Sequence, residues 1–364
     1  MTRPNPMRPL AALVLVAFLS GGCSIKRMAV NKLGNALASG GTTFEGDDDP
    51  DLVGESLPFA LKLMESLLAE SPRHEGLLLA TASGFTEYSY AFVGQRAERA
   101  FTENVEESNA LRGRSRRLYL RAQAYGMRAL EVRYRGFGAA LDNDPPAALA
   151  RVRKRDVPLL YWTAAAHGLA ISASKDDPEL IAQLPVVEAF IRRAMELDEA
   201  WNEGALPEFL IDIEAARSGV SAAELQARIR RYYDQALSLS GGRRASLFVA
   251  YAENSAIPAQ NRAQFRELLE QALRIDPGQH PETRLTNLIA QRRARWLLSR
   301  IDELFLEAPA AAGKERPRAA AFCTRRFQSR SILPATPEHA LRSTACTPEK
   351  ASLGERPELT QDSL

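Results

Sequence analysis

The chain has 364 residues, 45% of them apolar and 25% charged, with a formal net charge of +2. That supplies a core for one large domain or two small ones. The near-neutral balance gives no electrostatic case for nucleic acid, and three cysteines exclude a disulfide scaffold.

In chain order, residues 1–22 read as a signal peptide. Arg3 and Arg8 precede an apolar run from Leu10 to Leu19, and Ser20-Gly21-Gly22 leads to Cys23. This is the charged, apolar and small-residue order of an export signal. The run falls short of the about 20 apolar residues that span a bilayer. The segment resembles a bacterial lipobox, although Ser20 stands where that pattern prefers Leu, with Leu19 one place earlier. The resemblance makes Cys23 the lipid attachment site and residues 23–54 a lipidated N-terminus and tether. Ser24, rather than Asp, follows the cysteine, which by the same resemblance favours the periplasmic face of the outer membrane. An ordinary cleaved signal with an incidental cysteine is the competing reading.

Asp47-Asp48-Asp49-Pro50 has the form of a helix N-cap with Pro at the first helical position. Asp47, Asp49 and Asp51 alternate as in a calcium loop. However, Leu52 occupies the place of the loop's Gly and Pro58 that of its bidentate Glu. Favourable charge at a helix start explains the aspartates more simply.

Residues 55–306 predict helix after helix. Leu57, Ala60, Leu61, Met64 and Leu68 share one helical face, as do Leu118, Ala122, Tyr125 and Ala129. The same i, i+3, i+4, i+7 spacing recurs in Val187, Phe190, Ile191 and Ala194. It recurs again in Leu225, Ile229, Tyr232, Tyr233 and Ala236, and in Phe265, Leu268, Leu269, Ala272 and Leu273. Ser221 with Glu224 forms a capping box, and Asp177-Pro178 and His280-Pro281 are further starts. No run alternates with a period of two, so the fold class expected is all-α.

Similar endings recur at Leu68–Pro72, Ala194–Asp198, Ala236–Ser240 and Ala272–Pro277. The last three repeat at steps of about 40 residues, near the 34 of a tetratricopeptide unit. The architecture expected is a degenerate tetratricopeptide-like helical repeat array. A non-repetitive helical domain with coincidental endings competes with it. Residues 307–364 are Pro- and Arg-rich without apolar periodicity and read as a disordered tail. Cys323 and Cys346 in that tail either pair, closing a loop worth about 3 kcal/mol, or stay as two thiols.

Chemical motifs are lacking. His74, His167, His280 and His339 show no zinc spacing, and no Walker loop, G-x-S-x-G or G-x-G-x-x-G occurs. No enzyme, cofactor or metal is expected. Two segments combine rings with polar groups: Tyr88, Tyr90 and Phe92, and Tyr161, Trp162, Thr163 and His167, with Lys175 nearby. On an α-helix Tyr88 and Phe92 share a face and Tyr90 points elsewhere. Tyr88, Phe92, Tyr161, Trp162, His167 and Lys175 are the candidate ligand or partner residues, because rings with polar tips suit a groove both apolar and wet. The alternative is that these rings fill the core between helices.

Longer strings carry a resemblance. Ser24 to Lys32, Gly84-Phe85-Thr86-Glu87-Tyr88-Ser89-Tyr90-Ala91-Phe92-Val93, Leu160-Tyr161-Trp162-Thr163, Ser174 to Pro178, Glu208-Phe209-Leu210-Ile211 and Gln291 to Leu298 resemble the TRAP transporter T-component family. The chain departs from that pattern at His167 and Pro207. The resemblance implies a non-catalytic, lipid-anchored periplasmic protein with cryptic tetratricopeptide repeats, a homotrimer bound to the membrane through its N-terminal lipid. It implies a substrate-binding P-component as partner and a small apolar or organic-acid ligand. The alternative function is a general tetratricopeptide scaffold for envelope assembly.

Overall fold

The structure is a computed structural model that describes residues 28–39 and 41–306. Cys23, the signal segment, the tail and its two cysteines lie outside the described residues. Helices account for nearly all regular structure, and no strand occurs among the described residues. The fold is all-α.

The longer helices are α1 (28–39), α2 (Pro50–Glu70), α3 (Glu75–Tyr88), α4 (Val105–Arg133), α5 (Val157–Ser172), α6 (Leu184–Asp198), α7 (Ala205–Ala215), α8 (Ala222–Ser240), α9 (Ala245–Tyr251), α10 (Arg262–Arg274) and α11 (Arg284–Ser299). Their starts follow the sequence signals. Asp49 accepts from the Asp51 and Leu52 amides, Asp177 from Leu180 and Ser221 from Glu224. Asp51, the third aspartate of the calcium-like alternation, pairs with Arg292 instead. Part of the expected tether is structured. Val30 and Leu37 of α1 pack on the core, and Asn31 binds Ser71 and His74.

The predicted apolar faces are the buried ones. Leu57, Leu61, Met64 and Leu68 are buried, as are Val187, Phe190, Ile191 and Ala194, and Phe265, Leu268, Leu269 and Ala272. Close approach is built in where α4 crosses α5: a Cβ on Gly126 would collide with Thr163 Oγ1.

Odd-numbered helices from α3 to α11 stand side by side, and the even-numbered ones from α4 to α10 back them. Neighbours in the odd row meet through side chains 36 to 42 residues apart, such as Arg244 with Glu208, Arg293 with Glu253 and Asn254 with Asp212. The row bends until its end reaches its beginning. Arg292 of α11 grips the Asp51 carboxylate of α2 with two bonds of 2.7 and 3.1 Å. Arg284 donates to the Gly46 carbonyl at 2.9 Å. The odd row therefore encloses a concave wall.

Candidate ligand wall on the concave face

The wall begins with two helices that change winding. After α3 the chain continues as a π-helix over Ser89–Gly94, and after α9 as another over Ala252–Ala256. A π-turn inserts a residue into the helical count and re-aims the side chains around it. The first segment presents Tyr90, which is 42% exposed, and the second presents Glu253 and Asn254. The buried Ser89 hydroxyl fixes the first by donating to the Ser115 carbonyl.

Arg293 of α11 ties the second segment to the helix Gln95–Ala100 that follows the first. Its guanidinium donates to both Glu253 oxygens, at 2.8 and 2.7 Å, and to Glu98 Oε2 at 2.7 Å. These bonds cross 40 and 195 residues of sequence. Beside it the Asn254 amide donates to Asp212 Oδ1 at 2.8 Å. Arg244, 7% exposed, donates to Glu208 Oε2 at 2.6 Å. Planar guanidinium forks on carboxylates are the strong form of this interaction, because two or more bonds share one fixed geometry.

Two carboxylates on the wall differ from these. Glu87 and Asp212 both keep side-chain surface open to water. Protein nevertheless surrounds them on the other sides, and desolvation pushes Glu87 up to about 8 and Asp212 up to about 7. Glu45 adds repulsion at Glu87. Glu253 and Glu208 do so at Asp212, where the Asn254 bond and Arg293 pull the other way. A group that is wet on one side and enclosed on the others behaves as expected for a concave wall, where the charged form loses part of its hydration.

Tyr161 is within electrostatic reach of these groups. Burial raises its phenol, and the charges of Arg244, Glu208, Glu87 and Asp212 all act on it. Its ring meets Trp162 at 5.0 Å, Trp201 at 4.8 Å and Phe209 at 6.0 Å. All four rings are half-buried. Trp201 is delivered by a strained turn. Asn202 and Glu203 hold φ of 48° and 52°, and Gly204 follows at 88°. Non-glycine residues in this region cost about 1–2 kcal/mol each. Arg243 bonded to Glu203 at 2.6 Å holds the turn in place.

The six residues predicted from sequence separate into distinct places. Tyr161 and Trp162 stand together in the aromatic group on the wall. Tyr88 is 9% exposed among Leu57, Leu61, Phe85 and Val93, and its hydroxyl accepts from Arg114. Phe92 lies 5.8 Å from the Tyr88 ring and against α2, where a Cβ on Gly54 would stand 2.7 Å from Phe92 Cδ1. His167 is buried, its pKa lowered by desolvation, and its ring bonds the Gln183 side chain. Lys175 is exposed beyond the end of α5. Sequence reasoning did not select Glu87, Glu208, Asp212, Arg244, Glu253 or Arg293. Glu87, Glu208 and Arg293 lie inside the strings that carried the resemblance, and that was the available signal.

The odd row thus carries rings and charged groups drawn from successive helix pairs. The TRAP transporter T-component family matches residues 46–305, and the chain belongs to that family. It is also 30% identical over 307 residues to an uncharacterized protein of Treponema pallidum (strain Nichols), covering 79% of this chain and 95% of the relative. The chain is thus a component of a TRAP-type transport system.

Proposed function

We propose that this chain is a non-catalytic, lipid-anchored periplasmic component of a TRAP uptake system. It docks the substrate-binding P-component and offers a small ligand its concave wall. The observation that supports this reading best is the wall itself, where side chains up to 195 residues apart converge on one water-accessible surface. Among the described residues no helix is long and apolar enough to cross a membrane, so attachment in this proposal rests on lipid at Cys23. Several acyl chains on one residue anchor stably where a single chain is marginal. Assembly as a homotrimer, carried over from the family, belongs to the same proposal.

The partner reading is tested by sedimentation velocity of the purified chain with a TRAP substrate-binding P-component. A complex of fixed stoichiometry is the expected result, and two independent boundaries at every mixing ratio reject docking. The anchor is tested by membrane fractionation of Cys23→Ala, which is expected in the soluble periplasmic fraction. Sedimentation of the variant with membranes at the wild-type level removes Cys23 from the proposal.

A further inference from the structure

Helix α1 is held to the body along one side. Asn31 Oδ1 accepts from the Ser71 hydroxyl at 2.7 Å, and the Asn31 carbonyl lies 3.3 Å from the His74 ring. Val30 and Leu37 pack on the core. Gly34 allows the close approach, because a Cβ there would stand 2.7 Å from Leu77 Cδ1. These contacts fix α1 against the start of α3. The opposite side of the helix points to water. Met28 is 55% exposed and Leu33 47%, and Ala29, Lys32 and Ala36, which fall between them around the helix, are exposed too. This face is mostly apolar, and its one charge is positive. From residue 24 to residue 44 the chain carries Lys26, Arg27 and Lys32 and no Asp or Glu. Along the edge of the face runs a groove of about 400 Å³ lined by Asn31, Asn35 and the exposed Arg73. Glu75 also lines it, and Arg133 donates to that carboxylate at 3.0 Å. An apolar helix face bordered by cations suits a membrane surface, where the apolar side chains enter the headgroup boundary and the cations meet lipid phosphates.

We propose that the outward face of α1 docks on the bilayer that holds the Cys23 lipid. This rests on the anchor reading of Cys23 and adds how the body is oriented on the membrane. Reach supports it. The steps from Cys23 to Met28 span at most about 18 Å when fully extended, so the start of α1 stays near the headgroups. The lipid supplies the stable attachment and makes the second contact intramolecular. A face too small to hold a free protein on a membrane is then sufficient to orient a tethered one. Met28 and Leu33 enter the boundary region, and Lys32 and Arg73 meet the phosphates. A second copy of the chain or a P-component could cover the same apolar atoms, but neither calls for cations gathered beside a lipid attachment point.

The test is covalent footprinting of the purified lipidated chain in vesicles of phosphatidylethanolamine and phosphatidylglycerol. The Cys23→Ala chain without vesicles is the reference. Lys32 is expected to react about fivefold or more slowly with a water-soluble acetylating reagent in the vesicles, and Met28 to be protected likewise from a water-soluble oxidant. Lys154 and Lys175 serve as controls and should be unchanged. Phosphatidylcholine in place of phosphatidylglycerol, or added salt, should return part of the Lys32 reactivity. Leu33→Glu should return Lys32 to the reference rate with an unaltered melting temperature, because Leu33 is half-exposed. The mass of the N-terminal peptide reads the anchor separately. Lipid present with Lys32 and Met28 at the reference rates overturns the docking alone, and lipid absent removes the anchor together with the docking. Protection in the lipid-free chain that grows with protein concentration assigns the face to a second copy. Protection that appears only when a P-component is added assigns it to that partner. Either result overturns the inference.

Discussion

On α8, Arg230 and Asp234 form a pair one turn apart within a single helix. On the concave wall, Arg293, Glu253 and Glu98 form a cluster of the same chemical types from three places in the sequence. Both members of the α8 pair are at least half exposed, and such pairs contribute between nothing and about 1 kcal/mol. Arg293, 11% exposed in its side chain, has lost much of its hydration and depends on Glu253 and Glu98 being present. Curvature explains the difference. Bending the helix row brings Arg293 and Glu253 from separate parts of the sequence onto one face, where Arg293 is largely buried.

The largest effect should come from Arg293→Met. It leaves Glu253 and Glu98 without their guanidinium and cuts the link between α11 and the helix Gln95–Ala100. A loss of about 3 kcal/mol in urea unfolding is expected, and a change under about 0.5 kcal/mol would mean that the wall behaves like the α8 pair. Gly126→Val comes next. It forces α4 away from Thr163 of α5, behind the wall, and should cost about 1–3 kcal/mol, read as a fall in melting temperature.

A third comparison uses pH. Glu87 and Asp212 bind protons more tightly folded than unfolded, with folded values of about 8 and about 7. Their contribution is therefore fully present below the unfolded carboxylate range near 4. It is lost as pH rises through 7 and 8, because the unfolded chain then releases protons the folded one still holds. Melting temperature should fall between pH 5 and 8.5, and Glu87→Gln with Asp212→Asn should flatten that fall. A pH profile unaltered by the double variant would show that neither group titrates high. The smallest effect belongs to the α8 pair. Arg230→Ala should cost less than about 0.5 kcal/mol and lose nothing further in high salt.

Much of the scaffold was legible because its causes are local. An Asp or Ser before a helix accepts amides two or three residues away, so Asp49, Asp177 and Ser221 announce their helices wherever those helices later pack. Apolar spacing names a buried face without naming its partner, as with Phe265, Leu268, Leu269 and Ala272 on α10. The wall was harder to read. Regular helical spacing placed Tyr90 off the Tyr88 and Phe92 face but could not show where it pointed, since a π-turn shifts the count by one residue. Tyr88 and Phe92 drew attention as rings with polar neighbours, and both pack against α2. His167 looked like a polar group needing a partner, and it has one in Gln183, away from the wall.

The sequence by itself determined the helices, their starts, their buried faces and, through the resemblance in its longer strings, the family. Each of these depends on interactions within a few residues or on a retained string. Only the tertiary structure decided that Asp51 meets Arg292 across 241 residues and that Arg293 meets Glu98 across 195. It also decided that Glu87 and Asp212 stand on an enclosed face. Those outcomes depend on the accumulated bend of the whole helix row. A bend is a sum of small crossing angles set by side-chain packing, and no local pattern encodes a sum.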